Sequence, residues 1–147
     1  MADAGAEATA DFLDFGMPAT HVYPVERRAG TMLAIRDALV ADGAQVVVLQ
    51  LDEAARPEAR PLLGRLASIA DAAVVCARDE RSSHIMLDRL EGLAIPVRLV
   101  SGPVADDASS AAAVAAWSGM PVRSIADLCA GAAANLLGDE RSDGRPG

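Results

Sequence analysis

A chain of 147 residues and 15.1 kDa, 52% of it hydrophobic, is long enough to bury one core of its own. A formal charge of −8, a pI of about 4.6 and an aromatic content of 3% speak against a nucleic-acid partner, since an acidic surface repels the phosphate backbone and offers few rings for bases to stack on. No uninterrupted apolar run reaches the roughly 20 residues of a membrane helix, and the acidic opening MADAGAEATADFLDFGMP lacks the basic region of a secretory signal, so the expected location is the cytoplasm, with no membrane partner.

In chain order, residues 1–18 read as a mobile segment, small and acidic, with one apolar patch at Phe12, Leu13 and Phe15. THVYPV, residues 20–25, is a short strand candidate. A helix follows in which Met32, Leu33, Ile35, Ala38 and Leu39 recur at helical spacing, and Gly43 closes it. QVVVLQL, residues 45–51, is a continuous β-branched run, the signature of a strand covered on both faces. Pro57 or Glu58 opens the next helix, with Leu62, Leu63, Leu66 and Ile69 on one stripe, and DAAVVCA, residues 71–77, is a second buried strand. Ser82 or Ser83 caps a helix carrying Ile85, Met86, Leu87 and Leu90, which Gly92 ends. IPVRLVSG, residues 95–102, is a further strand. Helical sequence then runs through ASSAAAVAAW, breaks at SGMP and resumes in RSIADLCAGAAANLL, while residues 139–147 form a polar, disordered tail.

Strands alternating with helices at this spacing imply parallel βαβ units joined by right-handed crossovers. The expected fold is a single α/β domain over residues 19–138, three-layered and Rossmann-like, with about four parallel strands and flanking helices. Ligands of such sheets sit beyond the C-terminal ends of the strands, which points to three loops: Glu26 to Gly30, Arg78 to Ser83, and Ser101 to Ser110.

In the first loop, free amides at a helix start would attract an anion, with charge from Arg27 and Arg28, backbone access at Gly30 and a hydroxyl from Thr31. The plainer reading is that Thr31 is an N-cap and the arginines are solvated; both stay open. The second loop offers Arg78, Arg81, Ser82, Ser83 and His84, the imidazole being a general acid or base if something fixes a nucleophile beside it, and otherwise a surface residue. In the third, Asp106 and Asp107 look like an acidic pair at a helix start, with Ser109 and Ser110 as caps. Trp117 reads as a core or interface anchor. The anion or ligand candidates are therefore Arg27, Arg28, Gly30, Thr31, Arg78 and His84.

Cys76 and Cys129 lie in apolar contexts that suit buried small hydrophobes. His21 and His84 have no metal-ligand neighbour at CxxC or HExxH spacing, so no metal is expected. GxGxxG, GxxxxGK[ST] and GxSxG are absent as well, and no cofactor is expected.

The order RAGTM, ADGAQVVVL, IADAAVVCA, IPVRLVSG resembles the N-terminal, carbamoyl-phosphate-binding domain of the aspartate and ornithine carbamoyltransferases, and LCAGAAANLL is similar to that family's closing helix. The resemblance covers roughly residues 21–137 and is carried by spacing and apolar pattern. It implies a phosphate-gripping Ser-Thr-Arg-Thr-Arg turn where this chain has Arg28, Ala29, Gly30, Thr31 and Met32, so that only Thr31 matches. The family's arginine after the second strand falls on Cys76, with Arg78 close by, and its His-Pro-x-Gln falls on Ala108, Ser109, Ser110 and Ala111. The short stretch between SGP and SGMP leaves no place for the family's amino-acid-binding second domain. Each lost donor is worth on the order of 10²-fold in rate, which makes carbamoyl transfer by this chain alone an unpromising expectation.

The resemblance thus implies a degenerate, truncated transferase relative: a pseudoenzyme subunit that forms a homo-oligomer, a trimer being the family's arrangement, or joins a catalytic carbamoyltransferase. The alternative is a repurposed anionic small-molecule site, or a new enzyme, in the same crevice. A generic flavodoxin-like or receiver-like module is the third reading, and the absence of lysine counts against a phosphorylated receiver.

Overall fold

The structure is a computed structural model describing residues 6–51 and 60–131, in two compact units, Met1–Glu53 and Ala54–Gly147. The expected helix start at Pro57 or Glu58, the continuation of the last helix beyond residue 131 and the tail lie outside the described residues.

The first unit is built on helix α1, Val25–Ala41. THVYPV does not form the expected strand. Thr20–Val22 is a single 3-10 turn, and Pro24 serves as the N-cap of α1. Proline has no amide to give a ladder, and its fixed φ leads readily into a helix whose next residues, Glu26, Arg27, Arg28 and Ala29, are good helix formers with an acid in the first turn. Gly43, at φ +99°, ends α1 as expected, and the amides of Gly43 and Ala44 donate to Val40 and Leu39 carbonyls. Arg28, Ala29, Met32 and Ile35 form the buried face of α1. Met17 is also buried, within the segment expected to be mobile, and the turn before it is tied by its amide donating to the Phe12 carbonyl at 2.8 Å.

After α1, residues 45–51 join no helix and no β-ladder among the described residues. Their exposure alternates: Val47, Leu49 and Leu51 are half-buried, whereas Val46 is 59% and Val48 65% exposed. The run has the period of a strand, and only one of its faces is covered.

The second unit contains α2 (Arg60–Ala67), β1 (Ala73–Cys76), α3 (Glu80–Leu90), β2 (Val97–Ser101), α4 (Ala108–Ser118) and α5 (Ile125–Cys129). β1 and β2 pair in parallel, Val75 opposite Val100 and Cys76 opposite Ser101, with an irregularity between Ala73 and Val74. Parallel neighbours need a crossover, which α3 supplies. One further parallel bridge joins Val100 to Val122 on the other edge of β2. Among the described residues the sheet therefore has two strands and a bridge, flanked by helices, where about four strands were expected.

Val75, Ala77, Val100, Val104 and Val114 form the core of this unit, with Met86, Leu87 and Leu90 of α3 packed against it. Each buried valine contributes about 1.5–3 kcal/mol. β1 was expected to be covered on both faces, yet Val74 and Cys76 are exposed and Val75 alone is fully buried. Cys129 is exposed too, so neither cysteine is the buried hydrophobe its context suggested.

Helix starts in this unit are set by acids and hydroxyls. Asp79 caps α3 in a reciprocal box with Ser82, Asp107 caps α4, and Ser124 caps α5 with Asp127. The serines expected to cap α3 and α4 instead donate to, or pair with, these aspartates. Gly92 and Gly119, both at positive φ, follow the ends of α3 and α4. Arg60 donates to the Arg89 and Glu91 carbonyls at 2.6 and 2.8 Å, closing the C-terminal end of α3.

Candidate functional site

The first expected loop, Glu26 to Gly30, is not a turn. It lies inside α1, whose first residue precedes Thr31 by more than one turn, and the Arg28 amide already donates to the Pro24 carbonyl at 3.1 Å. From Arg28 onward the helical amides are spent on carbonyls four residues back, so Arg28, Ala29 and Gly30 have none to offer an anion. The Arg27 guanidinium lies 4.7 Å over the Tyr23 ring, a cation–π contact. Arg28 is buried, Gly30 faces open space on the exposed side of the helix, and the Thr31 hydroxyl donates to the Met17 sulfur at 3.0 Å. Thr31 is therefore a packing residue of α1 and not its cap.

At the C-terminal ends of β1 and β2, both strand-following helices begin on a carboxylate. The Ser82 amide above all, then the Ser82 hydroxyl and the Arg78 guanidinium, hold the Asp79 carboxyl below the usual carboxylate range. Hydrogen bonds from Ser110 and Ser109 lower the Asp107 carboxyl to about 2. Both aspartates are thus anionic at neutral pH and sit where a helix dipole would otherwise attract a ligand anion. The Arg78 side chain is exposed, and its Nε approaches Asp79 at 3.4 Å. The Ser101 hydroxyl, at the end of β2, is buried and has no hydrogen-bond partner among the described residues, so it is no accessible nucleophile.

Gly102 locks these two loops together. It adopts φ +94°, and a Cβ there would lie 2.6 Å from the Ala77 carbonyl oxygen. The Ala77 amide donates to the Ser101 carbonyl and the Val104 amide to the Ala77 carbonyl, at 2.8 and 3.2 Å. Only a residue without a side chain permits that approach.

His84 leaves the crevice for another surface. Its imidazole stacks on the Trp117 indole, centroids 3.7 Å apart and planes 8° from parallel. The pair borders an open groove of about 580 Å³ whose walls include Leu87, Leu93, Ile95 and Val97, with Asp88 and Glu91 among its polar residues. This groove lies by the approach to β2, away from the strand ends that carry Arg78. Trp117 is 42% exposed, an aromatic at a surface rather than in the core.

In the first unit Arg27 and Thr31 engage Tyr23 and Met17, and in the second Arg78 and His84 engage Asp79 and Trp117. The sequence reading missed the Asp79 cap, although Asp79-Glu80-Arg81-Ser82 has the spacing of a capping box. It also missed the groove, which no local motif announces. Among the described residues no cluster of His, Cys, Asp or Glu could hold a metal ion, and no helix is long and apolar enough to cross a membrane. No family model, curated protein or solved structure matches the chain.

Proposed function

We propose that this chain acts by assembly, as a non-catalytic subunit that associates through residues 45–51. The observation that carries this reading is the one-sided exposure of that segment: Val46 and Val48 are open to solvent while Val47 and Leu49 are half-buried. Val46, Val47 and Val48, β-branched residues in a run of strand period that joins no ladder among the described residues, favour pairing with another chain. A second copy would cover the exposed valines.

The resemblance in spacing to the carbamoyltransferase N-terminal domain supports the same reading, since that family forms trimers through this domain. The non-catalytic half rests on the helical placement of Arg28 to Met32, where the family has its phosphate turn, and on Asp79 and Asp107 at the two helix starts. Such a subunit would work in the cytoplasm, alone or bound to a catalytic carbamoyltransferase.

Light-scattering mass across a concentration series tests the proposal, with the protein alone and mixed with a trimeric carbamoyltransferase. A mass that is a multiple of the protomer, or a mixed species, is the expected result. A strict monomer indifferent to the enzyme overturns it. Thermal shift with carbamoyl phosphate and inorganic phosphate tests the rival anion-site reading in the same preparation, because a ligand bound only by the folded state raises the midpoint as it saturates.

A further inference from the structure

We propose that the groove beside the His84–Trp117 stack binds a small organic cation with an apolar body, a protonated aliphatic amine being the simplest member of the class. The groove is formed within the second unit, so this inference is independent of the assembly reading. Its volume of about 580 Å³ falls within the range of small-molecule sites.

Three features select the ligand. Leu87, Leu93, Ile95 and Val97 give an aliphatic wall for an apolar body. Asp88 and Glu91 are exposed on the same groove, and neither has an ion-pair partner among the described residues. The indole of Trp117, held by its stack on His84, adds an aromatic surface of the kind that attracts an ammonium group most strongly. No arginine lines the groove, and the guanidinium of Arg60, close behind Gly92, is committed to the Arg89 and Glu91 carbonyls. The net charge of −8 favours the same ligand sign at long range.

The test uses Trp117, the sole tryptophan, as reporter. The full chain is titrated with hexylamine, with hexanol as its neutral analogue and with hexanoate as its anionic one. The expected result is a saturable change in emission with hexylamine, at least about tenfold tighter than with hexanol, which corresponds to ~1.4 kcal/mol, and none with hexanoate. Asp88→Asn combined with Glu91→Gln should bring hexylamine to the affinity of hexanol, while hexanol binding and the far-ultraviolet circular dichroism stay unchanged. Equal responses to all three probes, hexanol binding as tightly as hexylamine, an unchanged hexylamine affinity in the double variant, or no saturable response to hexylamine at millimolar concentration would each overturn the proposal.

Discussion

The imidazole of His84 and the indole of Trp117 lie 3.7 Å apart, centroid to centroid, with their planes 8° from parallel. The stack ties α3 to the end of α4. Replacing His84 by alanine should cost about 1 kcal/mol in urea unfolding, and should raise Trp117 emission by removing the ring in contact with the indole. A variant with native stability and native emission would mean that the stack does not persist in solution.

Gly30 distinguishes a helix from a phosphate turn. It lies within α1, and a Cβ there would meet nothing within 4 Å. Gly30→Ala should therefore stabilise the protein by about 0.5–1 kcal/mol, measured as an increase in the urea midpoint at unchanged slope. A loss of stability would show that the backbone at this position is not helical.

Gly102 makes the opposite case. Alanine at φ +94°, with its Cβ 2.6 Å from the Ala77 oxygen, combines a left-handed backbone with a clash against main chain. Gly102→Ala should destabilise by more than about 2 kcal/mol in the same assay.

The acid limb of stability should report the helix caps. The Asp107 carboxyl titrates at about 2 in the folded protein, against 3.8 for the free group, so its contribution is present above 3.8 and lost as pH falls through about 2. Asp107→Asn should flatten the fall of the thermal midpoint across that window. Asp79, lowered in the same direction, keeps the loss from disappearing entirely. An acid limb identical in the variant would remove Asp107 from the account.

The β1–α3–β2–α4 stretch was legible in the sequence because each of its signals is local: short apolar runs, Gly92 and Gly119 at helix ends, and polar residues at helix starts. α1 was legible in its apolar spacing and its glycine end but misplaced at its start. Thr31 looks like a cap, yet Pro24 and the helix-forming Glu26 to Ala29 begin the helix earlier, and the Thr31 hydroxyl serves Met17. THVYPV failed as a strand because Pro24 lies inside so short a run. Burial on both faces of β1 and of residues 45–51 was inferred from composition, whereas what covers a face depends on partners distant in the chain. For the same reason neither the His84–Trp117 stack nor its groove was readable, since both depend on how α3 and α4 are rotated about their axes.

Association through residues 45–51 is tested most directly by amide hydrogen exchange at Val46, Val47, Val48 and Leu49, followed from dilute to concentrated protein. Pairing with another chain predicts that protection at these amides rises with concentration, and that Val46→Lys with Val48→Lys abolishes the rise while α3 and β2 keep their protection. Exchange at these four amides that is independent of concentration would contradict the account.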